Sequence, residues 1–237
     1  MQPKPDNIEL FLFISALAVT TFGFIAYQYI ASPRFTQRIL QREMGKPFQV
    51  YVQRLAGAII FGVLPLIIIL LTGAEGFGGF GIKAPVGTTF LWTLVLSALI
   101  LPMNYINAPK PANLNVYPQI REGRWSLGLI LGSAISWIIY LTGYEFLFRG
   151  FLFYTSLNII GLWPAIILNT MIYSLVHLPK GNKEMVGAIP LGLVLCYLTY
   201  LTGSIWVAVF THIILALSNE WFSLYKHPDM IIKRVRK

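Results

Sequence analysis

Long apolar stretches alternate with short polar punctuation along the whole chain. Seven of them cover roughly residues 8–31, 51–73, 87–107, 125–157, 161–178, 185–202 and 204–224. A helix needs about 20 mainly apolar residues to cross a bilayer, so the pattern predicts seven transmembrane helices. The expected fold class is all-α, a polytopic membrane helix bundle. No internal repeat and no soluble domain interrupts it, and residues 1–237 read as a single integral-membrane domain. The fourth stretch is too long for a perpendicular span. It is expected to tilt or bend, with Gly143 as the weak point. Pro179 should end the fifth helix.

Composition agrees with the pattern. Hydrophobic residues make up 56% and charged residues 11%, against about 25% charged in a soluble domain. The formal charge of +9 is unevenly placed. Arg34, Arg38, Arg42, Lys46 and Arg54 lie between spans one and two or at the edge of span two. Lys110, Arg121 and Arg124 lie between spans three and four, and Lys180 and Lys183 between five and six. Lys226, Lys233, Arg234, Arg236 and Lys237 form the tail. These four segments hold 15 of the 18 Lys and Arg, and the opposite side holds only Lys4 and Lys83. The positive-inside rule then predicts an outside N-terminus and a cytoplasmic C-terminus. The charge thus has a topological explanation, and nucleic acid is excluded as a partner. Arg34, Arg38 and Arg42 recur every fourth residue, which predicts a helix lying on anionic lipid headgroups. Short loops and a compact chain suit a bacterial inner membrane. The lone Cys196 excludes an internal disulfide.

Few ionisable residues fall inside the spans. Span four carries Glu145 and Arg149, span five carries His177 near its inner end, and span seven carries His212 near its middle. Asn219 and Glu220 follow towards the inner boundary, and His227 lies in the tail. An ionised side chain at the bilayer centre costs about 2.5–3.5 kcal/mol on insertion scales. Glu145 and Arg149 are i, i+4 and can neutralise each other as a structural ion pair. That pairing does not account for two further helices each bringing a histidine. A carboxylate and two imidazoles suit a metal ion, or acid/base chemistry on water.

These residues lie in three motifs: YEFLFRG at 144–150, YSLVH at 173–177 and THIILALSN at 211–219. Their order and spacing resemble those of the CAAX-protease and bacteriocin-processing (CPBP or Abi) family of intramembrane proteases. That family shows Glu-Glu-x-x-x-Arg-Gly, then Phe-x-x-x-His, then His-x-x-x-Asn or Asp. Residues 125–220 form the motif core that resembles it. The resemblance implies hydrolysis of a peptide bond in a membrane-associated tail or leader peptide. It also implies membrane lipids and a membrane-associated peptide or protein as partners. In a glutamic-type site Glu145 and His177 activate water while His212 and Asn219 serve the oxyanion. In a metal-dependent site Glu145, His177 and His212 hold zinc. No HExxH helix is present, and both readings stay open. Two positions depart from the motifs. Tyr144 stands where the family has its favoured water-activating Glu, and Ala216 stands where it has Asn or Asp. Glu184 is the surrogate carboxylate, expected near the cavity mouth. The departures favour an alternative, a catalytically impaired member acting in binding, immunity or scaffolding. A small proton-coupled transporter is a further alternative, although no inverted repeat with broken helices is visible.

Overall fold

A computed structural model of the chain describes residues 6–73 and 76–233. Lys4, Arg234, Arg236 and Lys237, which entered the charge pattern, lie outside the described residues. Seven helices are long and apolar enough to cross a membrane: α1 Asn7–Ile30, α2 Pro47–Thr72, α3 Gly87–Asn107, α4 Leu127–Ile160, α5 Leu162–Lys180, α6 Asn182–Thr202 and α7 Trp206–Lys226. Local chemistry sets their ends. Asp6 accepts from the Glu9 backbone N–H at 2.7 Å while Glu9 reaches back to the Asp6 N–H at 3.3 Å, a capping box that opens α1. Pro47 occupies the first turn of α2, where its missing N–H costs nothing. Ser126 caps α4. Gly73 and Gly203, each at φ +63°, close α2 and α6 in the left-handed conformation that glycine adopts freely.

Large apolar side chains cover the outside of the bundle. Leu71 is 82% exposed, and Phe22 and Leu94 are similarly bare. In water such a surface would aggregate; in lipid it is solvated. The chain is an integral membrane protein.

Helix α4 is the centre of the packing, with α2 and α7 along its first half and α1 along its second. Its regular hydrogen bonding changes at Phe146–Leu152, which is π-helical. The interruption therefore lies just past Gly143, the expected weak point, and Gly143 has a different task. A Cβ there would sit 3.2 Å from both the Ala58 carbonyl oxygen and the Gly62 nitrogen, so its missing side chain lets α2 and α4 approach closely. Val19–Gly23 of α1 and Ile59–Val63 of α2 are also π-helical, and the three widened turns touch one another. Overpacking a tight core typically costs about 1–3 kcal/mol. Gly143→Val should accordingly lower the detergent-solubilised protein's thermal midpoint, read by the loss of monodisperse protein after heating.

One surface expectation is corrected. The segment after α1 is helical only over residues 33–39, and Gln41 at φ +52° turns the chain before Arg42. Arg34, Arg38 and Arg42 thus do not form one helical stripe; Arg42 instead lies 5.7 Å over the Phe48 ring. Ile231–Ile232 pairs in parallel with Arg124–Trp125, whose Trp125 is buried with Val50, Ile120 and Leu224. His227 accepts from the Asp229 N–H at 3.2 Å, away from the histidines of the spans.

Candidate functional site

Glu145 sits where the α-helical part of α4 meets its π turn, fully buried. Its two oxygens face two partners. Oε1 accepts from His212 Nδ1 at 2.5 Å, and Oε2 lies 3.0 Å from Arg149 Nη1. The Arg149 contact is an ion pair by distance, without the alignment of a hydrogen bond. The guanidinium is also fully buried and lies 4.0 Å over the Tyr173 ring of α5, a cation–π contact that strengthens when desolvated. The π turn is held from α5 as well: Asn169 Nδ2 donates to the Phe148 carbonyl at 2.6 Å, and the Cys196 thiol of α6 donates to Asn169 Oδ1 at 3.1 Å. Widening a helix by one residue frees backbone carbonyls, and Asn169 takes one of them. Four helices therefore converge on one buried charge pair.

His177 lies just beyond the α-helical part of α5, where the chain tightens into the 3-10 turn Leu178–Lys180 that contains Pro179. Its Nδ1 is 2.7 Å from the Tyr173 carbonyl oxygen. A carbonyl can only accept, so Nδ1 carries the proton and Nε2 holds a lone pair. The same reasoning applies to His212 Nδ1 on the Glu145 carboxylate. Neither Nε2 has a protein partner among the described residues, and neither is sealed from solvent.

Both imidazoles line one cavity of about 1110 Å³ between the helices. The Tyr144 ring stands edge-on to both, its centroid 6.3 Å from that of His177 and 5.6 Å from that of His212. The Tyr173 ring is 4.6 Å and 6.5 Å from the same two. Asn219 and Ala216 share the wall, and Asn219 Oδ1 accepts weakly from Ser223 Oγ at 3.5 Å. Glu184, in the first turn of α6, is the one carboxylate on the wall among the described residues, 3.9 Å from Lys180 Nζ. Tyr117 lines the same end, and burial pushes its phenol above the usual value while nearby Lys180 pulls it down.

The sequence places Glu145 with His177; the structure pairs it with His212. Glu145 and Arg149 are absent from the cavity wall, whereas Tyr144 is on it, because adjacent helical positions point about 100° apart. Glu145, His177 and His212 do not gather into a metal-ligand set: no three His, Cys, Asp or Glu side chains among the described residues do so. Both Glu145 oxygens already face His212 and Arg149. Zinc chemistry therefore has no three-ligand site here.

A second buried ion pair escapes the sequence reading. Arg54 of α2, counted above as a charge at the membrane edge, is 2% exposed and lies 3.6 Å from the fully buried Glu220 of α7. It donates to the Ser133 carbonyl, Ser133 Oγ, Ser136 Oγ and Gln119 Oε1, and stacks 4.1 Å over Trp137. Glu220 accepts from Ser133 Oγ and the Gln119 N–H. Its signal was present: both residues fall inside apolar stretches.

The fold and this centre define a class, a polytopic helical membrane protein with a buried Glu–Arg–His cluster beside a polar cavity. Residues 124–218 match the family model described as type II CAAX prenyl endopeptidase Rce1-like. That segment, less than half of the chain, is similar to this family of membrane endopeptidases. No curated protein and no solved structure matches the chain.

Proposed function

We propose that the chain is an intramembrane endopeptidase of the CAAX-protease type, with residues 125–220 as the catalytic core of one integral-membrane domain. It hydrolyses a peptide bond in a membrane-associated tail or leader peptide held in the cavity. The observation that carries this reading is the Glu145–His212 pair, whose free Nε2 belongs to a cavity-lining ring. A carboxylate on Nδ1 fixes the tautomer and orientation of the imidazole and stabilises the imidazolium when it forms. His212 Nε2 takes a proton from water as the water oxygen adds to the peptide carbonyl carbon and the carbonyl electrons move onto oxygen. His177 Nε2 accepts a hydrogen bond from the water's other O–H, which stays intact, and so orients the water. The oxyanion then collapses, the C–N bond breaks, and His212 returns the proton to the leaving nitrogen. Glu145 is a positioning residue, Arg149 is its structural counter-ion, and Asn219 contacts substrate further along the wall. Glu184 at the lysine-rich end is the rival base. That end faces the cytoplasm under the positive-inside orientation, with the N-terminus outside, in a bacterial inner membrane.

Cleavage is measured in proteoliposomes, by mass spectrometry of membrane-protein C-termini and leader peptides incubated with the parent and with variants. Glu145→Gln should abolish the cleavage and Glu184→Gln should retain it, since a half-exposed ion pair such as Lys180–Glu184 contributes about 0–1 kcal/mol. Loss in Glu184→Gln alone would transfer the role of base to Glu184. Tyr144 and the enclosure of Glu145 favour a second reading, a binding-only member. A parent that retains tail peptides without cutting any of them would establish it.

A further inference from the structure

The hydrogen-bond inventory of the cavity leaves one need of the reaction unmet. Peptide hydrolysis places a negative charge on the former carbonyl oxygen, and a preorganised donor must face it. Both histidines spend their Nδ1 protons inward, on the Tyr173 carbonyl and the Glu145 carboxylate. Their Nε2 atoms are therefore acceptors at the start of the reaction. Arg149 is sealed away from the cavity. Ala216 has no donor, and Asn219 lies nearly two helical turns beyond His212 on α7.

Tyr144 fits the vacancy. Its ring is on the cavity wall and edge-on to both imidazoles, at 6.3 and 5.6 Å between centroids. Its hydroxyl has no hydrogen-bond partner among the described residues, and it is not among their enclosed polar atoms. Phe61, Tyr140, Phe148 and Tyr173 pack around the ring at 4.8–6.0 Å, which fixes its direction. A phenol, with an ordinary pKa of about 10, keeps its proton at neutral pH, a liability in a base and an advantage in a donor. Resting on the endopeptidase reading, we infer that Tyr144 is a catalytic residue: its hydroxyl donates to the developing oxyanion, while His212 handles the water's proton. No atom is transferred from Tyr144; the hydrogen bond forms with the tetrahedral intermediate and lapses when the C–N bond breaks.

The test is Tyr144→Phe in proteoliposomes, with the peptide that the parent cleaves. Removing one oxyanion donor typically costs about 10²–10³-fold in kcat. That loss is expected here with KM and the thermal midpoint unchanged. A peptidyl phosphonamidate, which carries the tetrahedral oxyanion, should lose affinity for the variant by a similar factor, while the parent peptide binds both equally. A loss of kcat in Tyr173→Phe together with a parental kcat in Tyr144→Phe would move the donor to Tyr173, the neighbouring phenol on the wall, and overturn the assignment. A variant Tyr144→Phe that matches the parent in kcat and in phosphonamidate binding overturns the assignment and leaves the endopeptidase standing. So does a loss confined to KM or to stability, which would mark Tyr144 as wall packing. A parent that cleaves nothing overturns both.

Discussion

His212→Gln lowers peptide cleavage by about 10²–10⁴-fold, the usual contribution of a general acid/base group, and leaves the protein folded. The two halves of that expectation come from one hydrogen bond. His212 donates to Glu145 Oε1 at 2.5 Å, and a glutamine amide can also donate to a carboxylate, so the buried charge keeps a partner. What glutamine lacks is a basic nitrogen on the cavity side. Cleavage rates of parent and variant in the same proteoliposomes, with matched melting curves, check both halves. A His212→Gln protein that cleaves at the parental rate would remove His212 from the mechanism.

Arg149→Met acts on stability. Removing one partner of a buried pair costs about 3–5 kcal/mol because the other charge is left behind, and here both residues are fully buried at 3.0 Å. The variant should fall in folded yield and thermal midpoint in detergent. Glu145→Gln combined with Arg149→Met should recover part of the loss, since no orphan carboxylate remains. A single variant as stable as the parent but inactive would make Arg149 a catalytic group.

Several features were legible from residue order alone. The seven spans follow from apolar run length, and the Glu145–Arg149 pairing follows from i, i+4 spacing on one helix. The expectation that Glu145, His177 and His212 serve one site rested on three polar side chains in three apolar stretches. The choice of His212 over His177 as the partner of Glu145 was not legible. It depends on how α4 is rotated about its axis, and residues 143–153 are buried on every side, which leaves no hydrophobic periodicity to read. The same rotation decides that Tyr144 faces the cavity and Glu145 does not. Arg54 was misplaced for a different reason: near the end of an apolar run, a cation that snorkels to the surface and one that is buried look alike in sequence. Only the carboxylate on α7, far along the chain, tells them apart.

The two buried ion pairs differ in when they can form. Glu145 and Arg149 emerge together during synthesis and can neutralise each other before any later helix arrives. Arg54 enters with α2, while Glu220 enters with α7, the last span. Until then the guanidinium can rest on α4, on Ser133, Ser136 and Trp137, with its charge unmatched. Arrival of the final helix supplies the counter-charge, together with His212 of the cavity wall. Completion of the fold and completion of the site are thus the same event. A chain halted before α7 would hold Arg54 inside an apolar helix without its counter-charge.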